Sequence, residues 1–140
     1  MSVCDEYALI STSSDLETSS LRLLQFSSSS DFQEIQISQP TETFDFKLEN
    51  LELESKAKSP FQAHILSKSG NKNLVLWPHG GPNSCIPTSY SSLFCGLVEL
   101  GYDIVIPNYI GSVGYGQNHV RGLAGHIGYY DVADSLTGSF

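Results

Sequence analysis

A chain of 140 residues that is 40% hydrophobic has material for one modest domain or parts of two. Its net charge of −8 lies mostly in the first half: residues 1–60 hold eleven acids against four bases, residues 61–140 four against three. This acidity excludes nucleic acid as a partner, and with no apolar run near the ~20 residues of a membrane helix and no charged-then-apolar leader, neither membrane insertion nor secretion is expected. Cys4, Cys85 and Cys95 are odd in number and show no C-x-x-C spacing, which suits a reducing, cytoplasmic setting.

Residues 1–60 read as short β-segments separated by serine-rich breaks: 7–11, 21–26, 32–37 and 44–53. In the last of these Phe44, Phe46 and Leu48 alternate, and Leu51 and Leu53 resume after a one-residue shift. Ser27–Ser30 reads as a flexible connection. A further strand is expected over 61–66, followed by a turn over 67–73 rich in Ser, Gly, Asn and Lys.

The stretch that organises the chain comes next: Leu74-Val75-Leu76-Trp77 running into Pro78-His79-Gly80-Gly81-Pro82. A continuous apolar run closed by turn residues suits a strand buried on both faces. Two glycines past such a strand expose backbone N–H groups and admit close approach of another atom, which is what an oxyanion hole needs. His79 by itself reads as a turn residue packed under the loop.

After a loop over 83–88, Tyr90, Leu93, Phe94, Leu97 and Leu100 fall on one helical stripe, with Thr88 or Ser89 as N-cap and Gly101 as the stop. Tyr102–Pro107 then supplies a second buried strand, so 74–107 reads strand, helix, strand, with a parallel pair and a right-handed crossover. The glycine-punctuated loop 108–116 follows at the carboxyl end of that strand, the side where open α/β sheets bind ligands. Val132 and Leu136 at i, i+4 predict a helix starting near Tyr129 with Asp131 in its first turn, while 136–140 reads as an unrelated tail.

Known chemical signatures are mostly absent. Gly111, Gly114 and Gly116 form G-x-x-G-x-G, which is neither the dinucleotide fingerprint nor a phosphate loop. His64, His79, His119 and His126 are too scattered for a zinc site. A nucleophile elbow G-x-S-x-G is missing: Ser112 lacks the first glycine, Ser84 has Pro82 there, and Ser139 precedes only Phe140. The serine, acid and histidine of a triad would all lie beyond Phe140.

Three ordered motifs nevertheless carry a resemblance: 77–82 (WPHGGP), 107–116 (PNYIGSVGYG) and 125–134 (GHIGYYDVAD). Over roughly residues 60–134 the chain resembles the start of the catalytic domain of the prolyl oligopeptidase family, in the branch that releases N-acylated residues. The fold class this implies is α/β, an incomplete α/β-hydrolase domain over 60–140 preceded by a β-rich propeller end and linker over 1–59. The implied function is that of a serine-type peptidase acting on an N-acylated peptide substrate without a cofactor. The family's oxyanion loop maps onto Gly80 and Gly81, with Gly81 the preferred donor and His79 a further oxyanion-hole candidate; some relatives have a tyrosine in place of His79, contributing a hydroxyl. Asn108, Tyr109, Gly111, Ser112, Gly114 and Tyr115 map onto the loop that frames the site. The family usually has arginine where this chain has Ile110, and that substitution removes a planar five-donor group. Two rival readings stand beside this one. The first is a non-catalytic interaction protein forming a homo- or hetero-oligomer, its strands 74–77 and 102–106 seeking a partner such as a full-length hydrolase. The second is an HGGG-type esterase, against which Pro82 and the Tyr115 loop weigh.

Overall fold

A computed structural model describes residues 2–4, 7–14, 17–28, 31–39 and 44–138, and side chains at 7–12, 20–26, 32–39 and 44–138. The chain divides into two compact units, residues 1–45 with 89–91 and residues 46–88 with 92–140.

The first unit is an antiparallel meander of four strands, β1 (Ser2–Cys4), β2 (Tyr7–Ser14), β3 (Glu17–Ser28) and β4 (Asp31–Ser38), paired in chain order. Strand pairing is more extensive than the serine-rich composition implies. Ser27 and Ser28, read from sequence as part of a flexible connection, belong to β3, where Ser28 lies opposite Asp31; residues 29–30 fall outside the described residues. Serine serves here as a strand residue whose hydroxyl finds a cross-strand partner, as Ser20 Oγ does with Thr12 Oγ1 at 2.8 Å. Phe26 and Phe32 add a tilted ring pair at 6.1 Å.

The second unit is built on a mixed sheet of β5 (Lys47–Glu54), β6 (Pro60–Ser67), β7 (Asn73–Leu76) and β8 (Tyr102–Pro107), in the spatial order β5-β6-β8-β7. β6 runs antiparallel to both neighbours, and β7 and β8 form the parallel pair expected of a strand–helix–strand crossover. The predicted alternation over 44–53 holds from Lys47 onward, where Leu48, Leu51 and Leu53 are half-buried; Phe44–Phe46 precede the strand.

Helix α1 (Ser92–Glu99) covers the sheet with a face different from the predicted stripe. Phe94, Cys95 and Val98 are buried, while Leu93 and Leu100 are 52% and 75% exposed. The helix begins at Ser92, not near Ser89, and a sheet contact selects the i, i+1, i+4 face that reaches β8. Tyr90 lies in the first unit, stacked on Phe44 at 6.1 Å. Gly101 ends the helix as expected, its N–H bonding the Val98 carbonyl at 3.1 Å. The predicted turn after β6 is tied down by Asp103, whose Oδ1 accepts from the Lys68 N–H at 3.2 Å and Asn71 Nδ2 at 3.0 Å.

The two predicted parallel strands differ in burial. β8 lies between β6 and β7, with Ile104, Val105 and Ile106 at 0–2% exposure. β7, expected to be buried on both faces, is an edge strand among the described residues, and Leu74 is 51% exposed. The apolar run recorded the character of the strand but not whether another element covers it.

The core of this unit gathers Phe61, Ala63 and Leu66 of β6, Ile104 to Ile106 of β8 and the buried face of α1. Phe61 is 1% exposed, and truncating it removes a ring that neighbours cannot replace. Phe61→Ala is expected to cost about 3–5 kcal/mol in urea unfolding, whereas Leu93→Ala on the exposed face of α1 should stay within about 0.5 kcal/mol. Equal costs would place the core elsewhere.

Candidate functional site

Both glycine loops leave the sheet at the carboxyl ends of β7 and β8. Trp77 stays in register, its N–H bonding the Val105 carbonyl at 2.8 Å, and the chain then turns at Pro78. Gly81 sits at φ +57, a left-handed conformation that a side chain disfavours. A Cβ built on Gly80 or Gly81 meets nothing within 4 Å, and both residues are exposed. Among the described residues neither glycine N–H has an acceptor, so both remain able to donate to an incoming oxygen.

His79, directly before them, is 8% exposed and faces inward. Its ring stacks on Tyr109, centroids 4.6 Å apart and planes 15° from parallel. Ser112 Oγ donates to the Tyr109 carbonyl at 2.6 Å and lies 2.8 Å from His79 Nε2, while His79 Nδ1 lies 3.2 Å from the Gly80 carbonyl. Tyr109 closes the link from the other side, its hydroxyl donating to the His79 carbonyl at 2.6 Å. His79 and Tyr109 thus clamp the glycine loop onto the framing loop.

The framing loop is itself fixed around the Tyr109 carbonyl. That oxygen accepts Ser112 N–H at 3.0 Å, Ser112 Oγ–H at 2.6 Å and His119 Nε2–H at 3.1 Å. Ser112 is fully buried with its hydroxyl engaged in both directions, which suits a strut and not a nucleophile. Gly111 is at φ +104, and a Cβ there would lie 2.7 Å from Leu123 Cδ2, so only glycine fits. Ile110 is buried with Tyr109 and Leu123, and its N–H donates to the carboxylate of Asp134 at 3.0 Å. The aliphatic side chain packs against Gly122, where an added Cβ would sit 2.9 Å from Ile110 Cδ1. Gly114 is exposed and Tyr115 half-buried, its ring 4.9 Å from that of His119.

A second chain of hydrogen bonds anchors the base of the loop. Asn50 Oδ1 accepts from His64 Nδ1–H at 2.6 Å, and Asn108 Nδ2 faces His64 Nε2 at 3.3 Å. The Asn108 amide also spans Ile86, accepting its N–H at 2.9 Å and donating to its carbonyl at 3.1 Å. Burial pushes His64 below the usual histidine range, partly opposed by a backbone hydrogen bond to Ile86. Burial likewise lowers His119, against the opposing pull of the Tyr109 carbonyl and the Asp134 charge. Tyr109 is raised by burial and by the nearby Asp131 carboxylate, and Tyr115 by burial. Both tyrosines therefore keep their protons at neutral pH.

Sequence reasoning missed α2 (Gln117–Gly122), a short helix that delivers His119 to 0% exposure, bonded through Nδ1 to Ser59 Oγ at 2.9 Å. The available signal was His119 and Leu123 at i, i+4, both buried. Helix α3 (Tyr130–Thr137) starts where predicted and continues into the residues read as a tail. It turns Asp134 and Ser135 inward and leaves Val132 and Leu136 about half exposed. These two residues, with Leu76, Pro78, His79, Tyr109, Asp131 and Ser135, line an open cleft of about 370 Å³ beside the glycine loop. Among the described residues no three His, Cys, Asp or Glu side chains converge to hold a metal ion. No helix among them is long and apolar enough to cross a membrane.

Because His64 and His119 are held neutral, the unfolded state binds more protons than the native one once pH falls below about 6.5. Their contribution is complete above that value and is lost as pH drops towards their lowered native values. Thermal midpoints should therefore fall between pH 7.5 and 5, and His119→Gln should flatten the profile. A midpoint indifferent to pH over this range would contradict the buried neutral state.

No family model matches the chain. Acylamino-acid-releasing enzyme 1 of Oryza sativa subsp. japonica is 40% identical over 83 residues, which is 58% of this chain and 11% of that protein. The Arabidopsis thaliana acylamino-acid-releasing enzyme is 40% identical over 86 residues, 57% of this chain and 11% of the relative. Among solved structures, the uncomplexed Pyrococcus horikoshii acylaminoacyl peptidase superposes with a TM-score of 0.78 at 18% identity, covering 97% of this chain and 22% of that one. A puromycin hydrolase superposes at 0.74 and 21% identity, covering 95% and 22%. The chain thus spans about 11% of the length of these curated relatives, and the solved structures speak to its fold. In sequence the chain is similar to one segment of acylamino-acid-releasing enzymes, and its fold is that of one segment of acylaminoacyl peptidase.

Proposed function

We propose that this chain forms the oxyanion side of a serine-type peptidase site that releases N-acylated residues from peptides, and that it does not hydrolyse them by itself. The observation carrying this reading is the loop of Gly80 and Gly81 at the end of β7, its N–H groups open and its flank clamped by His79 to Tyr109 and Ser112. Donors held in place before the charge develops are what stabilise a tetrahedral oxyanion. Gly81 is the preferred donor and Gly80 the neighbouring candidate. With both ring nitrogens turned to Ser112 and the Gly80 carbonyl, His79 serves as support for the glycines. Asn108, Tyr109, Gly111, Ser112, Gly114 and Tyr115 frame the site by holding that loop against the sheet.

The nucleophile and its acid and base partners belong to sequence outside these 140 residues, since no described serine combines exposure, an elbow and a basic partner. The substrate in this reading is an N-acylated peptide, the compartment is the cytoplasm, and Cys85 and Cys95 are free thiols in keeping with a reducing environment.

The 140-residue chain should give no turnover of an acetyl-alanine chromogenic substrate. Substituted for the corresponding segment of the rice enzyme, it should support turnover, and Gly81→Pro in that chimera should lower kcat by roughly 10²–10³ with little change in KM. Turnover by the chain alone that disappears on changing Ser112 or Gly81 would overturn the assignment, as would a chimera indifferent to Gly81.

A further inference from the structure

Asp134 is 1% exposed, and both of its carboxylate oxygens take main-chain donors. Oδ2 accepts the Ile110 N–H at 3.0 Å, and Oδ1 accepts the Lys56 N–H across a longer 3.4 Å. Neither donor belongs to α3: Ile110 follows Tyr109 in the framing loop, and Lys56 lies in the turn over 55–59 between β5 and β6. A buried carboxylate is costly unless hydrogen bonds compensate it, and here the backbones of two other segments supply them. The helix that carries it is seated on the sheet, for a Cβ on Gly138 would lie 3.4 Å from Ala63 Cβ of β6.

The two segments that Asp134 grips also meet each other. The turn is closed by Ser55 N–H bonding the Ser59 carbonyl at 2.9 Å and Lys58 N–H bonding the Ser55 carbonyl at 2.8 Å. Ser59 Oγ donates to His119 Nδ1 at 2.9 Å, and His119 Nε2–H donates to the Tyr109 carbonyl at 3.1 Å. That carbonyl and the Ile110 N–H are the two ends of one peptide group. His119 therefore holds one end and Asp134 the other, and the plane of the peptide is fixed between them.

We infer that Asp134 is a positioning residue for the oxyanion loop, acting through the Tyr109–Ile110 peptide on the N–H groups of Gly80 and Gly81. Fixing that peptide aims the Tyr109 side chain, whose hydroxyl meets the His79 carbonyl at 2.6 Å. The His79 carbonyl in turn shares a peptide group with the Gly80 N–H, and the bond is trans, so holding the oxygen from one side points the N–H to the other. Gly81 adjoins it. The inference rests on the oxyanion reading of this loop, whereas the ring of hydrogen bonds does not.

Asp134→Leu has a similar shape and removes both acceptors, while Asp134→Asn keeps one oxygen for Ile110. In the rice-enzyme chimera, assayed well below each thermal midpoint, Asp134→Leu should lower kcat roughly tenfold to a hundredfold with KM little changed. Asp134→Asn should stay within about threefold of the unsubstituted chimera, and Phe61→Leu, a core change remote from the loops, within about twofold. Should the leucine variant not fold, Asp134→Ser takes its place with the same expectations, since its short hydroxyl falls back from the Ile110 N–H. Full kcat in Asp134→Leu would overturn the inference. So would Asp134→Asn no better than Asp134→Leu, or an equal loss in Phe61→Leu, which would reduce the effect to stability. In the isolated chain, long-range ¹H–¹⁵N correlations should show His119 as a single Nε2–H form in the unsubstituted chain and in Asp134→Asn, and as an average in Asp134→Leu. An inactive unsubstituted chimera would overturn the oxyanion reading and the inference with it. An active one, with a single His119 form in folded Asp134→Leu, would overturn the inference alone.

Discussion

The carbonyl of Tyr109 is the point on which the site depends. One oxygen takes donors from Ser112 N, Ser112 Oγ and His119 Nε2, while the hydroxyl of the same residue reaches the His79 carbonyl. Through these bonds a loop after β8, a loop after β7 and a short helix become one assembly. Buried polar groups of this kind are costly if unpaired, and each member here is paired, so the network specifies one arrangement of the loops. The consequence for chemistry is that Gly80 and Gly81 can be held open without a side chain of their own to anchor them.

Burial of histidine supports the same arrangement. His64, His79 and His119 are each under 9% exposed, and each directs a ring nitrogen to a defined partner on or beneath the framing loop. They act as directional cross-links, a role imidazole fills well because one nitrogen donates while the other accepts. Ile110 adds an apolar plug between these bonds, and Asp134 receives its N–H from α3. Position 110 is thus satisfied here by packing and a backbone bond.

Much of this was legible in the sequence because the strongest signals are local. A glycine pair after an apolar run, a stop glycine at 101 and an apolar run at 102–107 fix a strand–helix–strand unit and place two loops on one side of a sheet. What was not legible depends on who covers whom. The helical stripe around Leu93 and Leu100 has the right period, yet the sheet takes Phe94, Cys95 and Val98, a choice made by tertiary contact. Val132 and Leu136 marked α3 correctly and then proved half exposed, as did Leu74 in a strand whose composition suggests burial. α2 escaped notice because its signal is two residues, His119 and Leu123, with glycines on either side. The segment that this chain shares with its relatives is about 11% of their length.

The most direct test of the interlocked loops is the protonation pattern of the histidine rings in the isolated chain, read from long-range ¹H–¹⁵N correlations at pH 7.5. The hydrogen bonds to the Tyr109 carbonyl and Ser59 require His119 as the Nε2–H tautomer, and those to Asn50 and Asn108 require His64 as the Nδ1–H tautomer, each as a single resolved form. Rings that instead average between tautomers, with shifts close to those of an unfolded peptide, would show that the glycine loop is not held and would contradict the account.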